Sequence, residues 1–293
     1  MLQIRGVGKR FGTRQVLEDV SFDVIEGRMT GFVGGNGAGK TTTMRIILGV
    51  LEPDSGDVTL DGKHLGSGDR RGFGYMPEER GLYPKMRLLE QLVYLARLHG
   101  LDPDAARTNA RELLGRLGLG ERENDPLEKL SLGNQQRAQI AAALVHDPAV
   151  LVLDEPFSGL DPMGVETVVD VLRERAARGV PVLFSSHQLD IVERLCDDLV
   201  IIADGRIRAA GPRADLQAQH ASLRYRLVAN DTNWLDAFPG VTIADRSADG
   251  VLFDADTAET VQKVLAAALA RGAVTDFGRQ NPTLADIYRE IVR

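Results

Sequence analysis

The chain has 293 residues, 43% of them hydrophobic and 26% charged, the balance of a folded globular protein, which excludes a disordered chain. No apolar run approaches the roughly 18 residues that a membrane span needs, and the N-terminal stretch lacks the continuous apolar core of a secretory signal. The net charge of −7 argues against a dedicated nucleic-acid binder, and the single cysteine, Cys196, leaves no internal disulfide and fits a reducing cytosol.

In chain order, residues 25–33 read as a strand beginning at a Glu26-Gly27 turn, and residues 42–51 as a helix behind a glycine cluster. Residues 150–153 and 180–185 are short and nearly all apolar, as strands covered on both faces are. Between them, residues 164–178 carry Val165, Val168, Val169 and Leu172 at helical spacing. Strand, helix, strand in that order implies a right-handed crossover and a parallel sheet, so the fold class is α/β. Asp204-Gly205, between Ile201-Ile202 and Ile207, marks a hairpin.

The composition shifts across residues 212–222. Residues 224–228, 241–245 and 251–254 then read as strands, the last two joined by a turn at Asp249-Gly250. Residues 257–271 form a helix with Thr257 as N-cap and Val261, Val264, Leu265 and Leu269 on one side. A last helix starts at Thr283, which stands at capping-box spacing from Asp286, and Leu284, Ile287 and Ile291 are its apolar face. The division is therefore a domain over residues 1–217 followed by a small α+β domain over residues 222–293.

The strongest chemical signal is Gly34-Gly35-Asn36-Gly37-Ala38-Gly39-Lys40-Thr41-Thr42, between an expected strand and an expected helix. The pattern is that of a phosphate-binding loop. Its glycines let backbone N–H groups wrap phosphates at a helix N-terminus, Lys40 reaches the β- and γ-phosphates, and the Thr41 hydroxyl ligates Mg²⁺. The second signal is Val150-Leu151-Val152-Leu153-Asp154-Glu155, a buried strand that ends in two acids at the carboxyl edge of the sheet. Asp154 is expected to hold the metal and Glu155 to polarise an attacking water.

With these two in place, residues 1–217 resemble the nucleotide-binding subunit of an ABC (ATP-binding cassette) transporter, a P-loop NTPase with a helical subdomain, at about residues 80–140 in this chain. Leu130-Ser131-Leu132-Gly133-Asn134-Gln135-Gln136-Arg137 stands at the place of that family's signature, with Leu132 and Asn134 in place of its glycine and glutamine. Ser158-Gly159-Leu160-Asp161 matches its D-loop, and Ser185-Ser186-His187 matches the strand end that carries its switch histidine. Phe11 stands where the family places a ring that stacks on adenine, and Glu78 where it places the Q-loop glutamine.

The resemblance implies a set of further expectations. Ser131 and Gly133 face ATP held by a second subunit, Asp161 bridges the two subunits, His187 senses the γ-phosphate, and Glu78 contributes an oxygen to the metal. ATP and Mg²⁺ are the implied cofactors. A separate transmembrane permease docks on residues 80–126, and the pairing is a homodimer or one with a paralogous ATPase subunit. No nucleic acid is expected, since residues 222–293 are mildly acidic. The expected place is the cytoplasm, peripheral on the cytoplasmic face of the membrane. Pro77-Glu78-Glu79-Arg80-Gly81-Leu82 and the segment Asn281-Pro282-Thr283-Leu284-Ala285-Asp286-Ile287-Tyr288 resemble a branch that serves sodium-, drug- or peptide-exporting permeases. The alternative is a non-transport ABC ATPase of DNA repair, translation or cofactor assembly.

Overall fold

A computed structural model describes residues 1–66, 68–219, 223–247 and 250–292. The chain divides into two compact units, Met1–Arg213 and Ala214–Ile291. The first runs β1 (Leu2–Phe11), β2 (Arg14–Val24), β3 (Met29–Val33), α1 (Lys40–Ile47), β4 (Ser55–Leu60), β5 (Lys63–His64), β6 (Phe73–Met76), α2 (Leu88–Leu98), α3 (Pro103–Arg116) and α4 (Leu132–Leu144). It continues through β7 (Val150–Leu153), α5 (Pro162–Ala177), β8 (Val182–Ser186), α6 (Leu189–Leu195), β9 (Asp198–Ala203) and β10 (Arg206–Pro212), and α7 (Arg213–Gln219) follows.

Two sheets build this unit. An antiparallel one has the order β2-β1-β4-β5, and a six-stranded one has the order β10-β9-β3-β8-β7-β6. The five strands from β9 to β6 in that order pair in parallel, and β10 closes the edge through the Asp204-Gly205 hairpin. β3, β7 and β8 are wholly buried, as strands covered on both faces must be. One core joins Leu2, Ile4 and Val7 of β1, Phe32 of β3, Met44 and Ile47 of α1, and Val152 of β7. α1 is thus held against both sheets, and that fixes the direction in which its N-terminus points.

Several boundaries differ from the expected ones for local reasons. The strand expected over 25–33 begins only at Met29, because Gly27 turns the chain in the left-handed region at φ 74° and Arg28 N–H bonds back to the Ile25 carbonyl at 3.3 Å. The helix expected over 42–51 starts earlier, at Lys40, because Gly39 at φ 113° ends the loop, and it stops at Ile47 because Gly49 at φ 69° breaks it. β8 starts at Val182, after Pro181, which has no N–H to give to the ladder. β1 and β2 are not marked by apolar alternation at all. Their pairing has register shifts between Ile4 and Val7, between Val7 and Lys9, and between Lys9 and Arg10, so the period of two breaks.

The second unit has β11 (Arg224–Ala229), β12 (Val241–Ser247), β13 (Gly250–Ala255), α8 (Ala258–Arg271), β14 (Val274–Arg279) and α9 (Leu284–Ile291). Its antiparallel sheet has the order β12-β13-β11-β14, and β14 is a strand that the apolar pattern does not mark. Leu227, Phe253, Val264 and Ala268 form its core. Thr257 caps α8 by accepting from Thr260 N at 3.1 Å. Leu269, expected on the apolar side of α8, is 60% exposed, and Ala268 takes that place because it follows Val264 by four residues. Thr283 and Asp286 bond each other reciprocally at the start of α9, with Leu284 and Ile287 buried. The turn expected at Asp249-Gly250 includes residue 249, which lies outside the described residues.

Candidate functional site

β3 delivers the chain to the carboxyl edge of the parallel sheet, where Gly34-Gly35-Asn36-Gly37-Ala38-Gly39 turns into α1. The turn needs its glycines. A Cβ on Gly34 would stand 2.5 Å from the Ile202 carbonyl oxygen, and Gly37 and Gly39 sit at φ 77° and 113°. Lys40 leads α1, with its Nζ donating to the Gly34 carbonyl at 2.7 Å. Thr43 is buried and bonds back to the Gly39 carbonyl at 2.9 Å, which locks the first turn of the helix.

β7 lies two strands away and ends in the two acids. Asp154 is 1% exposed and Glu155 8% exposed. Both Asp154 oxygens accept: Oδ2 from the Thr41 hydroxyl at 2.9 Å and Oδ1 from the Ser185 hydroxyl at 2.5 Å. The Ser185 oxygen in turn accepts from Glu155 N at 2.9 Å, so this fully buried serine of β8 ties both acids together. Glu155 stands in the left-handed region at φ 52°, an uncommon place for a non-glycine residue. Its carbonyl accepts from Gln136 Nε2 of α4 at 3.0 Å, and the same amide reaches the Pro156 carbonyl at 3.1 Å. The turned backbone sends the Glu155 side chain to His187, where Oε2 lies 2.9 Å from Nδ1. Burial, and after it the Asp154 carboxylate, push the nearby Tyr75 phenol above its ordinary pKa.

These groups face one cavity of about 560 Å³. Gly35, Asn36, Gly37, Gly39, Lys40, Thr41 and Thr42 form one wall, and Glu78, Asp154, Glu155 and His187 form another. Phe11, half exposed, stands at the rim. Gly34 and Ala38 shape the loop from behind: Ala38 is buried, and its N–H bonds the Gly35 carbonyl at 3.2 Å. Arg14 and Val16 of β2 also line the cavity. No sequence motif singles them out, because their place depends on the irregular β1–β2 register.

Ser131, Gly133 and Asp161 do not line this cavity. Ser131 is exposed and caps α4, accepting from Asn134 N at 3.3 Å. Asp161 is exposed too and caps α5, accepting from Gly164 N at 2.7 Å behind the Pro162 start of the helix. The two places are neighbours, since a Cβ on Gly133 would stand 3.3 Å from the Gly159 carbonyl oxygen. Leu132 and Met163 beside them are 60% and 72% exposed.

Comparison with known proteins agrees with this geometry. Residues 17–158 match the family described as ABC transporter, and residues 211–292 match the C-terminal domain of DrrA1-3-like ATP-binding proteins. The uncharacterised ABC transporter ATP-binding protein YhaQ of Bacillus subtilis (strain 168) is 37% identical over 100% of this chain and 98% of its own length. The Nod factor export ATP-binding protein I of Burkholderia orbicola (strain AU 1054) is 38% identical over 74% of this chain and 73% of its own. A solved structure of an ATP-binding subunit of an ABC transporter shares 35% identity at a TM-score of 0.69, over 75% of this chain and 92% of that one. The chain belongs to the ABC transporter family, as an ATP-binding subunit of the kind that hydrolyses ATP.

Proposed function

We propose that this chain binds Mg²⁺-ATP in the cavity between Phe11 and His187 and hydrolyses it to drive a separate membrane permease of the export kind. One observation carries the reading: Lys40, Thr41, Asp154, Glu155 and His187 come from three segments of the chain and line one cavity at the carboxyl edge of the parallel sheet. The loop amides and Lys40 hold the phosphates, and Phe11 offers its face to the base. Thr41 Oγ1 and Asp154 Oδ2 are 2.9 Å apart and both are oxygens, the donor type that Mg²⁺ takes, and Glu78 supplies a further carboxylate in the same lining. The metal, when bound, neutralises charge on the phosphates. Glu155 takes the proton of the attacking water, and His187 orients it.

Ser131, Gly133 and Asp161 stand outside the cavity, which supports their use on the nucleotide of a second subunit, either another copy or a paralogue. Among the described residues no helix is long and apolar enough to cross a membrane. This favours docking on the cytoplasmic face of a permease that supplies the spans, with the helical region 80–126 as the receiving surface. The name of the Burkholderia relative supports export. The unit Ala214–Ile291 carries none of the cavity residues and is read as an accessory domain.

The test pairs nucleotide titration with light scattering. Lys40→Ala is expected to lose ATP binding, and Glu155→Gln to keep it and to double its mass when ATP is added. ATP binding of undiminished strength in Lys40→Ala sinks the site assignment, and a constant mass leaves only pairing with a paralogue.

A further inference from the structure

The hairpin that carries Phe11 brings a second side chain to the cavity. Phe11 and Arg14 are paired across the tip of β1 and β2, with Gly12 at φ 59° between them. Directly opposed residues of an antiparallel pair project to the same face. Both line the cavity, and Arg14 Nη2 comes within 4.0 Å of where a Cβ on Gly37 would stand. The other cations of this hairpin are engaged: Arg5 pairs with Asp23, Lys9 donates to Asp54 at 2.8 Å, and Arg10 to Gln15 at 3.0 Å. The Arg14 guanidinium, by contrast, is exposed and has no ion pair or hydrogen bond among the described residues.

Charge in the cavity gives this cation a use. Lys40 faces Glu78, Asp154 and Glu155, three acids against one amine, before any phosphate enters. Lys40 is also held at one end of the loop, by the Gly34 carbonyl at 2.7 Å, with a longer contact to Gly35 at 3.4 Å. Gly37, next to Arg14, lies further along the same loop.

We propose that Arg14 is a nucleotide-binding residue that grips the α-phosphate of a bound nucleoside di- or triphosphate from the side opposite Lys40. The inference rests on reading the cavity as the ATP site. With the base on Phe11, the phosphate nearest the Phe11–Arg14 hairpin is the α-phosphate, and Lys40 serves the β- and γ-phosphates. A guanidinium suits this place because its planar fork of donors meets two phosphate oxygens at once. The contact is one that ADP and ATP share.

The experiment is titration of the full chain with ADP and with ATP, for wild type, Arg14→Gln and Arg14→Lys, with circular dichroism to check folding. Arg14→Gln is expected to weaken both nucleotides by a similar factor, about tenfold, as loss of a charged hydrogen bond does. Arg14→Lys is expected to fall between, because it keeps the charge and loses the fork. Unchanged affinity for both nucleotides in Arg14→Gln overturns the proposal, and so does a loss confined to ATP, which moves the contact to the γ-phosphate. If wild type binds neither nucleotide, it is the reading of the cavity that fails. If Lys40→Ala loses binding while Arg14→Gln retains it in full, the cavity stands and Arg14 is no part of it.

Discussion

His187 Nδ1 lies 2.9 Å from Glu155 Oε2, so an exposed ring at the end of β8 meets a buried acid just past the end of β7. The two strands are parallel neighbours, with Leu153 paired to Phe184, and their next residues therefore leave the sheet at the same edge. A carboxylate held by an imidazole is aimed at one spot, while the ring remains free at its other nitrogen to meet a ligand. The left-handed backbone of Glu155 makes the meeting possible, and Ser185 and Gln136 hold that backbone.

Glu155 and Asp154 are adjacent acids with different partners, and their amide variants should separate. Glu155→Gln is expected to bind Mg²⁺-ATP and to lose turnover by roughly 10²–10⁴-fold, the usual weight of general-base catalysis. Asp154→Asn is expected to weaken the Mg²⁺-dependent part of nucleotide binding, because it removes charge beside the Thr41 hydroxyl. Steady-state turnover beside titrations with and without Mg²⁺ reads both effects. Normal hydrolysis by Glu155→Gln would move the base elsewhere, with His187 next in line.

Gln136 is 4% exposed and spends its amide on the Glu155 and Pro156 carbonyls. The Glu155 carbonyl also accepts from Ser158 N at 3.2 Å, so removal of Gln136 chiefly affects Pro156. Gln136→Leu should cost about 1–3 kcal/mol, the price of one buried polar group left unpaired. It should also lower kcat by loosening the turn that aims Glu155. Denaturant unfolding and turnover measured on the same preparation check the pair, and a stable variant with full turnover would show that the turn holds without α4.

The His99 and His146 rings stack at 3.7 Å between centroids and join the C-terminal end of α2 to the turn after α4. His99 Nδ1 contacts the Arg71 carbonyl at 2.8 Å, and His146 Nε2 contacts the Phe73 carbonyl at 3.2 Å. Burial, and then the neighbouring His99, lower the His146 pKa to about 4, against the opposing pulls of the Phe73 carbonyl and Asp147. Folding thus favours the neutral ring. Its contribution is complete above the ordinary histidine pKa, about 6.5, and is lost as pH falls from there towards 4. Discounted for solvent at the half-buried ring, the loss is on the order of 2 kcal/mol. Thermal unfolding of wild type and His146→Gln across this range should show a shallower acid slope in the variant. Parallel slopes would place the acid sensitivity elsewhere.

Much of the site is legible in the chain itself. Residues 34–42 announce a phosphate-binding loop because their requirements are local: glycines at positive φ, a lysine and a threonine at the head of a helix, and a buried strand just before them. Val150-Leu151-Val152-Leu153 followed by two acids is equally local, and so are the Asp204-Gly205 hairpin and the Thr257 cap.

Ser185, Gln136, Arg14 and Val16 are of another kind. Ser185 and Gln136 lie inside matched motifs, yet no local pattern gives either a partner among the acids, and Arg14 and Val16 belong to no motif at all. Ser185 meets Asp154 across 31 residues because β8 pairs with β7, and Gln136 meets Glu155 across 19 because α4 packs there. Arg14 reaches the loop only through a hairpin whose irregular register hides it from periodicity. By itself, then, the sequence determined the loop, the acids and the order of strand and helix, since each depends on backbone conformation and burial within a few residues. The tertiary structure alone decided which side chains hold the acids in place and that Arg14 and Val16 join the cavity lining, because strand pairing and helix packing join residues that no local pattern connects.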